Sequence, residues 1–480
     1  MLLHFFPTIK ENKVVKAITF FLYSKYYIFA VALMTLLCNI IGFEQVYYYI
    51  VILFACIIPA LICDDMLPVL APLAMTYSSV SLKNNNAAAG TSLFSGSAKI
   101  NLIIQIALVL VFILTRLVFD LITKKEKRRY FPRLTLGYLA LGLGLMLGGL
   151  FTSYYVGEKL LYPLVIFLSL SLCYFLLLYL VDWKKVDGSY FFWIMSCYGI
   201  CLSCEVIYMF ISIKAGNTTF VSSFNQMFTG WGMRNNIASQ ICLCIASPFY
   251  LAIKSKKPLV FLWMPVFMLA SCALTNSRWG TFVGFLLLVA GAIIYFLRVK
   301  KRQRIECAIL YAAVLVLLIP LAIIKFDFIK EAFAHFFTDT SDSYTFTQGR
   351  DVIFKWAIED YRENRYFGVG FYQCKAYIFE NFSGKFVPRR YHNIYLQFLA
   401  STGLVGLLMY FVHRYQTLML TFRKPSLEKT FAYFTIVALV VTSFLDNHFF
   451  NIGPGLNYCI ALAFIEGMCI KTKFLESKKG

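Results

Sequence analysis

Apolar runs of helix length follow one another along most of this 480-residue chain, and they restrict the folds open to it. Inside a bilayer no water satisfies the backbone N–H and C=O groups, so only helices or closed barrels can cross. Runs of about 18 or more apolar residues read as membrane helices. Such runs fall at 18–42, 45–62, 66–80, 99–122, 134–151, 159–181, 190–211, 236–253, 258–276, 279–297, 305–324, 392–413, 430–447 and 452–470. The third is short enough to be re-entrant, so about 12–14 transmembrane helices are expected. The expected fold class is all-α, a polytopic membrane helical bundle. A soluble reading is excluded by 60% hydrophobic residues against only 14% charged ones.

In a soluble protein a net charge of +21 would point to nucleic acid. In a membrane protein the positions of the basic residues come first, because short cytoplasmic loops are enriched in Lys and Arg. Alternate connections hold them: 124–133, 182–188, 254–257, 298–304, 414–429 and 471–480. Together with the N-terminus these carry 27 of the 45 Lys and Arg, so both termini are expected in the cytoplasm. Lys10, Lys13 and Lys16 precede the first apolar run with no small-residue cleavage site after it, which reads as an uncleaved first span. The charge is thus a topology signal, and no nucleic-acid partner is expected.

The same alternation puts one long segment, 325–391, on the extracytoplasmic side, between a bundle at 1–324 and C-terminal transmembrane helices at 392–480. Within it "RDVIFKWAIEDY" places Ile353, Trp356, Ala357 and Tyr361 on one helical face, with Arg350 in the first turn. "YFGVGF" then breaks the helix at Gly368 and Gly370. This amphipathic helix is expected to lie on the membrane surface or to lid the bundle. Of 14 cysteines only Cys374 lies in this loop, which argues against a disulfide framework.

Four polar motifs converge on that outer side. "GWGMRNNIAS" carries Arg234, Asn235 and Asn236 at the start of a span. "LTNSRWG" puts Arg278 in a tight turn between two spans, and "TQGRDVIFKW" carries Arg350. "RRYHNIYL" brings Arg389, Arg390, His392 and Asn393 to the mouth of a helix. An arginine at a helix end is commonly a snorkelling anchor, which accounts equally well for Arg389 and Arg390. Arg278 fits that reading poorly, because so short a turn gains no orientation from a positive charge.

Ser277-Arg278, Arg350 with Trp356, the Gly368/Gly370 pair, and His392-Asn393-Ile394-Tyr395-Leu396 followed by Gly403 and Gly406 occur in an order that resembles the O-antigen ligase and polymerase family of membrane glycosyltransferases. Asn236 and Ala238 are similar to that family's Asn-x-Ala helix start. The resemblance covers about 230–415; the proline the family often has before the glycine pair is missing from "NRYFGVG". It implies a GT-C-like bundle acting on a glycan linked to undecaprenyl pyrophosphate, with a glycan or lipid-linked acceptor. It also implies contact with membrane lipid and with polysaccharide-assembly proteins. Guanidinium groups bind diphosphate oxygens in a planar, bidentate way. Arg278 and Arg350 are therefore the expected pyrophosphate clamp, stabilising charge as the C1–O bond breaks. A histidine can take the proton of a sugar hydroxyl at neutral pH, which makes His392 the expected catalytic base. Arg234, Asn236, Arg389, Arg390 and Asn393 are candidates for substrate binding. Attack opposite the diphosphate would invert the anomeric centre through an oxocarbenium-like transition state. No metal site and no cofactor are expected.

Two acceptors fit this chemistry. A polymerase extends another lipid-linked repeat, and a ligase moves finished glycan onto lipid A core, protein or a wall component. The aromatics Phe371, Tyr372, Tyr377, Phe379 and Phe382 after the glycine pair suit sugar rings and lean the reading towards a polymerase. A polysaccharide flippase shares the span count and a basic cavity, but should show internal repeats and intramembrane charges in both halves. Charges inside the apolar runs are few, among them Lys25, Arg116 and Glu205, and no repeat is evident.

Overall fold

A computed structural model describes residues 11–41, 56–76, 96–123, 130–152, 160–215, 228–229, 232–324, 350–371 and 390–478. The protein is helical throughout these residues, apart from two short antiparallel strands, β1 (Phe228–Thr229) and β2 (Gly232–Met233). The first half holds α1 (Lys13–Leu22), α2 (Lys25–Ile41), α3 (Leu70–Ala74), α4 (Gly96–Thr123), α5 (Thr135–Met146), α6 (Leu161–Leu180) and α7 (Ser189–Lys214). After the strands come α8 (Arg234–Cys244), α9 (Ser247–Lys254), α10 (Leu259–Leu274), α11 (Arg278–Arg298) and α12 (Lys301–Ile324). Then follow α13 (Arg350–Glu363), α14 (Ile394–Phe422), α15 (Leu427–Thr442) and α16 (Ile452–Ser477). Among the described residues five helical spans are long and apolar enough to cross a membrane, or six if the bent pair α1–α2 counts as one. This is a multi-pass helical membrane protein.

The first expected span differs in detail. The run at 18–42 is two helices set 71° apart, broken at Tyr23 and Ser24. The Tyr23 hydroxyl donates to the Asp65 carboxylate at 2.7 Å, which ties the break to the segment before α3. The expected 45–62 and 66–80 spans lie only partly within the described residues.

α16 runs through the middle of the bundle, with Tyr458 to Ile465 all buried. It packs against α6, α8 and α15. α8 and α9 form one almost entirely buried span, whereas α11 turns Phe282, Phe285, Leu286, Val289 and Ile293 outward at helical spacing. Hydrocarbon gives apolar helices no reason to associate, so polar contacts and close packing hold such a bundle together. Ser239 and Thr442 join α8 to α15 at 2.9 Å, and the Thr435 hydroxyl donates to the Leu243 carbonyl at 3.0 Å. Lys25, Arg116 and Glu205, inside the apolar runs, have internal partners. Arg116 pairs with Asp120 at 3.1 Å and donates to the carbonyls of Ala60, Cys63 and Asp64. Glu205 accepts from Asn39, and Lys25 lies over the Trp193 ring.

α13 forms where its periodicity predicts, and it lies against the start of α14. Ile353 and Ala357 are buried with Tyr391 and Ala400, and Trp356 and Leu396 pack alongside. The glycine pair then locks onto α14. Val369 and Gly370 donate backbone N–H groups to the carbonyls of Ala400 and Ser401, both at 2.9 Å. In return Leu404 and Val405 donate to those of Arg365 and Tyr366, at 2.8 and 3.1 Å. Such pairing needs a break in α14, and Gly403 supplies it with φ +65°. A Cβ at Gly403 would stand 2.3 Å from the Tyr366 carbonyl, and one at Gly368 would stand 2.4 Å from that of Ala400. Only glycine fits both the backbone angle and the space. Gly403→Ala is expected to destabilise the protein by more than about 1 kcal/mol, read as a lowered thermal midpoint in detergent.

Candidate functional site

Four polar segments meet at one end of the bundle. The turn between α10 and α11 is closed by Asn276 in the left-handed region at φ 56°. Ser277 then caps α11, its side chain accepting from the Gly280 N–H at 3.4 Å, and Arg278 opens the helix. The Trp279 indole donates to the Val441 carbonyl at 2.9 Å and fastens this turn to the end of α15. Arg234 opens α8 and Arg350 opens α13. All three arginines line one cavity of about 550 Å³, together with Asp446 and His448 from the turn before α16. They are close enough for the charges of Arg278 and Arg350 to act on Arg234. The lining also includes the apolar side chains of Trp279, Phe282, Phe354 and Leu445.

His392 stands beside this cavity, just before α14. Its backbone is in the left-handed region, φ 50°, which is uncommon for a residue other than glycine and recurs at functional sites. Its Nδ1 lies 3.1 Å from Asp446 Oδ1, with 36% of the histidine side chain and 15% of the aspartate side chain exposed. Asp446 is fixed from other directions too. The Asn447 N–H donates to the same oxygen at 2.8 Å, and the Asn235 amide lies 3.5 Å from Oδ2.

Burial alone would raise the Asp446 carboxyl. Attraction to His448, the hydrogen bond and charge of His392 and the Asn447 amide outweigh it and hold the carboxyl well below the usual carboxylate range. Burial, with repulsion from Arg390, His392 and Arg350, pushes His448 down to about 4 against the pull of Asp446. At neutral pH His448 is therefore uncharged, and the contacts from His392 and Asn447 keep Asp446 ionised. A carboxylate can only accept, so the His392 Nδ1 that faces it carries a proton, and Nε2 points away from that contact. Burial also lowers the Arg350 guanidinium, with the Asp446 charge opposing the shift.

The other sequence-derived candidates divide. The Asn393 side chain accepts from the N–H groups of Tyr395 and Leu396 at 2.9 and 3.0 Å, capping α14, and donates to the Phe444 carbonyl at 2.9 Å. Arg390 donates to the Asn451 side chain, which in turn donates to Asn236 at 3.1 Å. These two residues thus brace the turn that carries Asp446. Arg389, Tyr372, Tyr377, Phe379 and Phe382 lie outside the described residues. Phe371 is buried edge-on against Phe450, their ring centroids 4.8 Å apart. Among the described residues no group of three His, Cys, Asp or Glu is placed to hold a metal ion.

Sequence reasoning missed Asp446 and His448. Asp446 falls at the end of the apolar run 430–447 and reads there as part of a span. The signal available was "DNHFFN", an acidic residue and one of only five histidines in an outer turn otherwise without charge.

Residues 263–411 match the family model of the O-antigen ligase. Over this stretch, about a third of its length, the chain is similar to the O-antigen ligase family. That similarity supports a membrane enzyme that transfers glycan in O-antigen processing. The matched segment spans most of α10, all of α11 to α13 and the first half of α14, so it includes Arg278, Arg350 and His392. Arg234, Asn236, Asp446 and His448 lie outside the matched segment and complete the cavity from α8 and the last turn. No curated protein matches the sequence.

Proposed function

We infer that this site transfers a glycan from undecaprenyl pyrophosphate to an acceptor hydroxyl at the outer face of the membrane, polymerising the repeat units of a surface polysaccharide. The observation that carries the reading is the Asp446–His392 couple beside a cavity rimmed by three arginines. Asp446 fixes the Nδ1–H tautomer, and Nε2 takes the proton of the attacking hydroxyl. Arg278 and Arg350 hold the diphosphate, with Arg234 as a third positive group. Their charge compensates the negative charge that grows on the leaving oxygen. Attack from the side opposite the diphosphate inverts the anomeric carbon, and the residues named complete this displacement without a metal. The apolar side chains of Trp279, Phe282 and Phe354 suit the start of the prenyl chain, because Phe282 faces the lipid side of α11.

A ligase would use the same chemistry on a different acceptor, and the gene deletion separates the two. Loss of a polymerase leaves single repeat units on their normal final carrier. Long chains accumulating on undecaprenyl pyrophosphate in the deletion strain would overturn polymerisation and make the enzyme a ligase.

The orientation has its own test. We place both termini in the cytoplasm and the cavity outside, on the distribution of basic residues. In a background without the native cysteines, Tyr366→Cys reacts with an impermeant thiol reagent in intact cells and Lys301→Cys does not; both positions are exposed. The opposite pattern would put the cavity on the cytoplasmic side.

A further inference from the structure

A second cavity, about 970 Å³, lies at the end of the bundle away from the transfer site. The same elements reach both. The α8–α9 span has Arg234 in the transfer cavity and Lys254 in this one, and its 21 residues measure about 30 Å at a helical rise of about 1.5 Å. α15 runs the other way, from Glu428 here to Thr442 there.

Five lysines line the cavity: Lys25, Lys254, Lys256, Lys257 and Lys471. The two carboxylates on its wall are engaged. Glu428 accepts from the Tyr250 hydroxyl at 3.0 Å and stands 3.7 Å from Lys254, and Asp187 accepts from the Ser189 N–H at 3.1 Å. Lys471 donates to the Val186 carbonyl at 2.7 Å. Lys256 and Lys257 are exposed and pair with no carboxylate among the described residues. The wall beside them is apolar. Trp193, Val260 and Phe261 line it, and Val260 continues into a face of α10 where Leu259 and Trp263 are also exposed. In a membrane protein that exposed face meets acyl chains.

We propose that this cavity is a binding site for the headgroup of an acidic phospholipid, in the leaflet opposite the transfer site. The lysines take the phosphate, and the Val260 wall takes the first part of the acyl chains. A soluble phosphate compound would satisfy the lysines and leave the lipid-facing wall without a role. A topology signal alone explains the positive charge but not a cavity of this size with one apolar side. The distribution of basic residues makes the leaflet the cytoplasmic one.

Native mass spectrometry of the full-length protein, purified in detergent and titrated with phosphatidylglycerol or phosphatidylcholine, tests the proposal. Phosphatidylglycerol is expected to bind saturably and phosphatidylcholine weakly. A lysine near an anionic lipid is worth about fivefold in binding, so the triple variant Lys25→Gln, Lys256→Gln, Lys257→Gln should bind phosphatidylglycerol on the order of a hundredfold more weakly. Lys300→Gln, Lys301→Gln and Arg302→Gln together, at the basic start of α12, should leave it unchanged. Val260→Trp crowds the apolar side of the cavity without altering charge and should also weaken phosphatidylglycerol binding, which decides the matter if the triple variant does not fold. Undiminished binding to the Val260→Trp variant would overturn the proposal. So would saturable binding of ATP or inorganic pyrophosphate at the same lysines with no preference for phosphatidylglycerol.

Discussion

His392→Ala loses about 10² to 10⁴ of the transfer rate, the usual cost of removing a general base, while the protein still folds and binds its lipid-linked donor. The side chain is partly exposed, and its described polar contact is with Asp446, so little of the fold depends on it. Asp446→Asn should follow it, because an amide cannot accept from His392, the Asn447 N–H and Asn235 together. The imidazole then loses its fixed tautomer, a defect that has cost up to about 10⁴ in another histidine–aspartate couple. The two changes should not add. Once the base is gone, its orienting partner has nothing left to orient, so the double variant should be no slower than His392→Ala alone. Single-turnover transfer in reconstituted vesicles, with donor binding measured separately, checks both. Wild-type turnover by His392→Ala would return the histidine to a polar residue at the membrane interface. Additive losses would break the link to Asp446.

Arg278→Lys and Arg350→Lys should each lose about 10² to 10³ in rate, the scale of removing one donor from a site that stabilises developing negative charge. Both variants keep a positive charge at the same helix start. What they lose is the planar fork that meets two phosphate oxygens at once. Arg278 and Arg350 lie on different elements, α11 and α13, around one cavity, so each can approach the diphosphate from its own side. Arg390→Lys should be mild, because that arginine is spent on Asn451 and a lysine can still donate one hydrogen bond there. Equal behaviour of all three lysine variants would defeat the bidentate argument. It would leave only a requirement for positive charge.

Much of this protein was legible before any tertiary contact was known. Apolar run length fixed the helical class, because hydrocarbon leaves the backbone few ways to satisfy itself. Periodicity located α13 and its buried face, since Ile353, Trp356 and Ala357 repeat at helical spacing whatever they pack against. The arginines at the starts of α8, α11 and α13 stood out because polar groups at the edge of an apolar run need a reason. The glycines could be read only as breaks. That Gly368 and Gly403 face one another's backbone depends on where α14 passes.

Asp446 was hidden for a related reason. Sequence spacing separates it from His392 by a helix and a span, and nothing in a hydropathy reading brings the turn before α16 back to the start of α14. The backbone does so directly, with the Ile394 N–H donating to the Ser443 carbonyl at 3.0 Å. The sequence by itself determined which polar residues stand at the edges of the apolar runs, because residue type and local period are one-dimensional properties. Tertiary structure alone decided which of them meet: a carboxylate that holds an imidazole in one tautomer acts over about 3 Å, and such distances are set only when the helices pack.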